Sequence, residues 1–178
     1  STSAFWTSPD GRVQALLEAL PSRLARETFE AGAAGQIAGV TYQVLHPRPG
    51  QVAESDNASS LCLLLEYVGK RILLPGDLEG SGLLDLTNLP ARPCHIVMAP
   101  HHGSLTLDPS DLLNWCRPEW IVISGNHRAA RQPVIDKYRQ DDSRLAITFR
   151  DGAIQIRIDR EGGLSAWQWR AGAWQALR

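Results

Sequence analysis

Apolar residues recur along the chain in two rhythms, and the changes between them outline a fold. Val13, Leu16, Leu17 and Leu20 stand three and four apart, which predicts a short amphipathic helix closed by Pro21. Ser8-Pro9-Asp10 supplies its start, with a capping serine and a proline at the first helical position. Ala31-Gly32-Ala33-Ala34-Gly35 reads as a connector. Val40, Tyr42 and Val44 then alternate with polar neighbours as a half-buried strand does, ending at His46-Pro47. Residues 48–58, rich in Pro, Gly, Ser, Asp and Asn, form a loop.

Residues 60–67 and 71–74 are continuously apolar runs joined at Val68-Gly69-Lys70, which predicts strands covered on both faces. A short helix follows through Leu83, Leu84 and Leu86, then a strand over 95–99. Asp108-Pro109-Ser110-Asp111 is a helix start with Asp108 as cap, leading into Leu112, Leu113 and Trp115. A strand over 120–124, a helix over 133–140 and a strand over 145–149 come next. Ile154, Ile156 and Ile158 open a last hairpin with Gly162-Gly163 at its tip. One helix, three strands, strand–helix alternation and an antiparallel end predict a mixed α/β sheet with helices packed on it.

The chain of 178 residues is expected to be a single domain over residues 1–178. A hydrophobic share of 43% with 21% charged residues excludes a disordered tail or a coiled coil. Eighteen Lys and Arg against nineteen Asp and Glu leave a net charge of -1, so no overall basic field gathers nucleic acid. No stretch reaches the roughly 18 uninterrupted apolar residues of a membrane span. The N-terminus has neither the basic start nor the apolar run of a signal peptide. Cys62, Cys94 and Cys116 match no zinc-finger spacing and read as buried thiols.

Two loops carry metal-ligating residue types directly after an apolar strand. In Leu73-Leu74-Pro75-Gly76-Asp77 the glycine lets the backbone turn sharply, so that the carboxylate projects from the sheet's end. In Pro100-His101-His102-Gly103-Ser104 two imidazoles are adjacent at the end of the next strand. Imidazole with carboxylate is what zinc or manganese takes, and the C-terminal ends of strands in open sheets are where ligands lie. Each loop alone also reads as an ordinary turn. His46 reads as a turn residue and His95 as a solvent-edge residue, whereas His127, in Gly125-Asn126-His127-Arg128, could face the same end as the two loops. Trp167, Trp169 and Trp174 suit either a packed strand face or a surface on which bases stack.

The runs Asp56-Asn57-Ala58-Ser59-Ser60-Leu61, Leu74-Pro75-Gly76-Asp77-Leu78-Glu79 and Ala99-Pro100-His101-His102-Gly103-Ser104 stand in an ordered set. This set resembles the metallo-β-lactamase-like domain of ComEC-type DNA-internalization competence proteins, over about residues 40–158. The resemblance implies an αββα sandwich holding one or two divalent ions, zinc or manganese, at the sheets' shared edge. It implies Asp77 as the carboxylate bridging two metals, His101 as a ligand, and His102 as a supporting or substrate-facing group. Asp56 falls near the position of a further ligand, and a carboxylate there favours manganese. Asp77, His101 and His102 are thus the candidate catalytic residues, and Asn57, Ser104 and His127 the candidate substrate contacts.

The family's first metal motif, a cluster containing Asp-His, is absent and is expected upstream of Ser1. Arg131-Gln132-Pro133 replaces the family's late histidine segment. The expectation is therefore the later part of a nuclease-type metallo-hydrolase, inactive alone. In its parent it would act on single- or double-stranded DNA, outside the cytoplasm and joined to a part that spans the inner membrane. The alternatives are a metal-free module that binds or guides DNA, and a hydrolase of a small ester or lactam.

Overall fold

In the computed structural model, which describes residues 10–21, 27–51 and 54–177, two tight turns set the register of the first strands. Strand β1 (Ala34–Ile37) returns as β2 (Val40–His46) through Ala38-Gly39, and β3 (Cys62–Tyr67) returns as β4 (Lys70–Leu74) through Val68-Gly69. These turn residues have φ of 51°, 85°, 46° and 73°, the positive values that match a two-residue hairpin to strand twist. Strand β1 begins inside the stretch expected to be a connector. Its small residues show no alternation because they make room: a Cβ on Gly35 would come within 2.6 Å of the Tyr42 hydroxyl across the pair.

The antiparallel set β1–β4 continues into a parallel one. Strands β5 (Ile96–Met98), β6 (Trp120–Ile123) and β7 (Arg144–Ile147) line up beyond β4 to complete a seven-stranded sheet. Helices α2 (Gly80–Thr87), α3 (Ser110–Cys116) and α4 (Gln132–Tyr138) make the crossovers, and α1 (Gly11–Ala19) precedes the sheet. The α1 cap is Asp10, whose carboxylate accepts the Arg12 N–H at 2.7 Å; Ser8 and Pro9, expected to start this helix, lie outside the described residues. At α3 the Asp108 carboxylate accepts from the Ser110 N–H at 3.0 Å and from its hydroxyl at 2.6 Å, as the sequence suggests.

Strand β7 stops at Ile147, earlier than its apolar run suggests. Thr148–Asp151 form a helical turn, α5, because the buried Asp151 carboxylate turns back to accept the Ile147 N–H at 2.8 Å. Phe149 therefore leaves the strand and is exposed. Strands β8 (Ile154–Ile158), β9 (Leu164–Arg170) and β10 (Ala173–Ala176) form a separate antiparallel sheet. Only a hairpin was expected there; β10 adds a third strand around Ala171-Gly172.

Helices cover one face of the large sheet, where Leu73, Leu86, Val97, Leu112, Ile121, Ile123 and Tyr138 are fully buried. On the other face Ile96, Trp120, Val122 and Ala146 meet Ala166 and the half-buried isoleucines of β8. The result is the expected mixed α/β architecture, a sandwich of helices, a large mixed sheet and a small sheet. Continuous apolarity signals two-sided burial at β5 and β6, whereas on β3 Leu63 and Leu65 remain half-buried.

Candidate functional site

The loops after β4 and β5 meet because their strands are parallel neighbours. Gly76 turns the first loop with φ +61°, where a side chain would press on the Leu61 carbonyl at 3.3 Å. The His101 N–H donates to the Gly76 carbonyl at 3.1 Å and ties the second loop to the first. Along the second loop His101, His102 and Gly103 all have positive φ, of 47°, 54° and 71°. For the two histidines this conformation costs about 1–2 kcal/mol each, strain of the kind that persists where the surroundings enforce it. Here the enforcement is visible. Ser104 N–H closes back on the His101 carbonyl, and a Cβ on Gly103 would lie 2.8 Å from Ile123. A Cβ on Gly125 would lie 3.0 Å from the His102 carbonyl.

Both imidazoles are anchored through Nδ1. His102 Nδ1 lies 2.8 Å from the Ser124 carbonyl, and His101 Nδ1 lies 2.8 Å from the Glu79 carboxylate. A carbonyl and an ionised carboxylate can only accept, so each Nδ1 carries the proton and donates. Each Nε2 is thereby left to present a lone pair when the ring is neutral. His102 Nε2 lies 3.6 Å from Asp77 Oδ1, and both side chains are accessible to solvent. Two electron-rich atoms facing each other at that separation are stabilised by a cation between them, either a proton on the ring or a metal ion.

A chain of polar contacts holds this arrangement from behind. The Asn57 amide donates to Glu79 Oε1 at 2.8 Å, while His101 takes the other carboxylate oxygen. The Asn57 amide, and after it the His101 ring, hold the Glu79 carboxyl below the usual glutamate range. Asn57 opens a single 3-10 turn (Asn57–Ser59), and the buried His46 donates from Nδ1 to the Ser60 carbonyl just beyond it at 3.0 Å. His46, expected to be a turn residue, is therefore a buried strand-end residue that fixes this segment. His95 is half-buried rather than at a solvent edge, and its Nδ1 accepts the Arg71 N–H at 3.0 Å.

The other candidates sit around this centre. Asp56 is exposed, and its carbonyl accepts from Ser59. The Ser104 hydroxyl bonds that of Thr106 at 2.9 Å. His127 is exposed, edge-on to Phe149 with ring centroids 6.2 Å apart. Among the described residues no group of three or more His, Cys, Asp and Glu side chains is placed to hold a metal ion. Beside the histidines opens a cavity of about 550 Å³, lined by His101, His102, Ser104, Asn126 and Arg128 among others.

The chain is 28% identical over 145 residues to ComE operon protein 3 of Bacillus subtilis, and 29% identical over 137 residues to Competence protein ComA of Neisseria gonorrhoeae. These matches take in 79% and 72% of this chain but 19% of each relative, so the chain spans about a fifth of the length of the curated relatives it matches. No protein-family model matches it.

The cysteines take no part in the site. All three are buried free thiols, and burial pushes Cys94 up to about 11 and Cys116 up to about 12, and raises Cys62 as well, so none is a ready nucleophile at neutral pH. Among the described residues no helix is long and apolar enough to cross a membrane. Sequence reasoning passed over Glu79, the Ser124 carbonyl and Arg128. Glu79 could have been found, since it stands two residues after Asp77 on the same exit loop. The Ser124 carbonyl carries no side-chain signal.

Proposed function

We propose that this chain is the later part of a metallo-β-lactamase-like domain that acts on DNA during its uptake in competence, and that its metal site is completed by residues outside the chain. The observation that carries the reading is the pair of imidazoles with Nδ1–H anchored and Nε2 free, one of them 3.6 Å from Asp77, at the C-terminal ends of parallel strands. The similarity to two competence proteins over most of this chain supports the biological setting.

Asp77 with His102 or His101 would hold zinc or manganese, which supplies a Lewis acid and, at neutral pH, a hydroxide from bound water. The 3.6 Å separation suits two ligands about 2.1 Å from one ion. The donors match such an ion in kind but not in number, so the described residues alone do not make a metal centre. Arg128, lining the adjacent cavity, would bind a phosphate of the strand, and Ser104, Asn57 and His127 stand around it. In the parent protein the domain would work outside the cytoplasm, joined to a membrane-spanning part.

Metal analysis and a manganese-supported cleavage assay on single-stranded DNA test this. The chain alone is expected to hold well under one equivalent of zinc or manganese and to cleave nothing. A longer chain that includes the preceding residues is expected to hold stoichiometric metal and to cleave, and Asp77→Asn to abolish both. Within it, His102→Ala is expected to lose more metal than His101→Ala; the reverse order would restore the ligand that the resemblance selects. Stoichiometric metal and cleavage by residues 1–178 alone would overturn the partial-site reading. A longer chain without metal would leave the metal-free module instead.

A further inference from the structure

The strand order of the large sheet lays the loops after β4, β5, β6 and β7 side by side along one edge. Asp77 stands on the first, His101 and His102 on the second, Asn126 to Arg131 on the third and Phe149 on the fourth. Neighbouring loops are tied to one another. His102 Nδ1 donates to the Ser124 carbonyl. One residue on, the Thr148 hydroxyl accepts the Gly125 N–H at 3.0 Å and donates to the Gly125 carbonyl at 3.1 Å. The third loop is itself a closed turn: Asn126 Oδ1 accepts the Arg128 N–H at 2.9 Å, and the Ala129 N–H closes on the Asn126 carbonyl at 3.0 Å.

Phe149 is 60% exposed. One exposed phenylalanine is ordinary on a protein surface; what marks this one is how and where it is held. The buried Asp151 carboxylate fixes the turn that carries it, and Thr148 clamps that turn to Gly125, in the wall of the cavity beside the histidines. The exposed His127 ring meets Phe149 at 66°, so neither ring is stacked on the other. Two strand spacings, roughly 10 Å, separate Phe149 from His102 along the edge. Residues 124–131, which lie between them, include Arg128, Arg131 and His127 and no Asp or Glu. The order along the edge is therefore carboxylate and imidazoles, then cations at the cavity, then an aromatic ring. A polymer whose anionic groups alternate with flat rings matches that order, whereas a small ester or lactam held at the histidines stops short of the ring.

We propose that Phe149 is a stacking subsite for a base of single-stranded nucleic acid, next to the phosphodiester group held between the histidines and Arg128. That this group is the one to be cleaved, and that the strand is DNA, rests on the functional reading above. The stacking itself needs no metal.

The experiment compares two labelled probes by fluorescence anisotropy on the 178-residue chain, in EDTA and low salt: a short oligothymidylate, and an abasic strand with the same number of phosphates. The oligothymidylate is expected to bind about fivefold or more tightly than the abasic strand. Phe149→Ala should remove that preference and leave the abasic strand unaffected. Phe149→Trp, which keeps a ring, should retain it, and Arg128→Gln should weaken both probes alike. No binding of either strand, equal affinity for the two, a preference that survives Phe149→Ala, or one lost in Phe149→Trp would each overturn the proposal. So would a preference that disappears in the longer chain, since the preceding residues would then cover the ring. A base preference that follows Phe149 in EDTA, in a protein whose longer form never holds metal, would leave the subsite standing and the metallo-hydrolase reading failed. Stoichiometric metal and cleavage by the longer chain, with a KM unmoved by Phe149→Ala, would do the reverse.

Discussion

The two faces of the large sheet are built to different standards. Against the helices, long aliphatic side chains from six strands and three helices interlock with little exposure, and Ile121 and Ile123 project into that layer. Against the small sheet, the corresponding contacts are made mainly by half-buried residues, with Trp120 and Ile96 the largest buried ones. Strand β6 serves both faces with alternate residues, so the contrast does not come from strand chemistry. It comes from the covering element. Helices on the crossovers between parallel strands lie along the sheet and close it, whereas three short strands cover only part of the other face. Stability is thus concentrated on the helical face, and the site loops hang from the ends of the strands that face anchors.

The largest effects are expected from a matched pair of truncations, one on each face of the sheet. Ile121→Ala on the helical face should cost about 3–4 kcal/mol, since a fully buried side chain leaves a cavity that packed helices cannot fill. Ile156→Ala on the small-sheet face should cost about 1–2 kcal/mol, because its site is half-open and relaxes. Urea denaturation of the two variants measures the difference, and equal losses would mean that both faces bear load alike.

A smaller effect is expected at the link between the sheets. Asp151 accepts from Ile147 N–H and from the Arg150 guanidinium, and Asp151→Asn should destabilise by about 2 kcal/mol at pH 7. Burial pushes its carboxyl up, but the Arg150 and Ile147 bonds outweigh burial and hold it below the ordinary 3.8. The charged form is therefore the one that folding favours. Its contribution is fully present above pH 3.8 and is lost as the pH falls through the lowered folded value, so the gap between wild type and variant should close on acidification. A gap that widens below pH 4 would show that the pair opposes folding.

Smallest of the three is Gly76→Ala, expected to cost about 1–2 kcal/mol, for its positive φ and for the approach to the Leu61 carbonyl. Its informative readout is the pairing beyond it. NMR titration should show a changed His102 ring environment with the fold otherwise intact. An unmoved His102 signal would detach the Gly76 turn from the placement of that imidazole.

Much of this architecture could be read without coordinates, for reasons that can be given residue by residue. Apolar runs such as Leu61–Leu65, and the Pro, Gly and Asp at their ends, mark strands and turns through local backbone preference, which needs no partner to act. The Asp108-Pro109 helix start, the antiparallel end opened by Ile154 and the two loops that follow β4 and β5 belong to this class. Strand β1 does not, because Ala34 and Gly35 have their role only opposite Tyr42. Nor does α5, where a buried carboxylate overrules an apolar run that otherwise extends to Phe149.

The local sequence also determined that histidines and a carboxylate sit at neighbouring strand ends, since strand order and loop position follow from the β–α alternation. Only the tertiary structure decided which imidazole turns to Asp77 and which to Glu79. That choice depends on the left-handed backbone at both histidines and on a main-chain oxygen from Ser124, a group every residue possesses. It likewise decided that Trp169 and Trp174 look outward. A period of two assigns residues to faces, but which face is covered depends on where the rest of the chain packs.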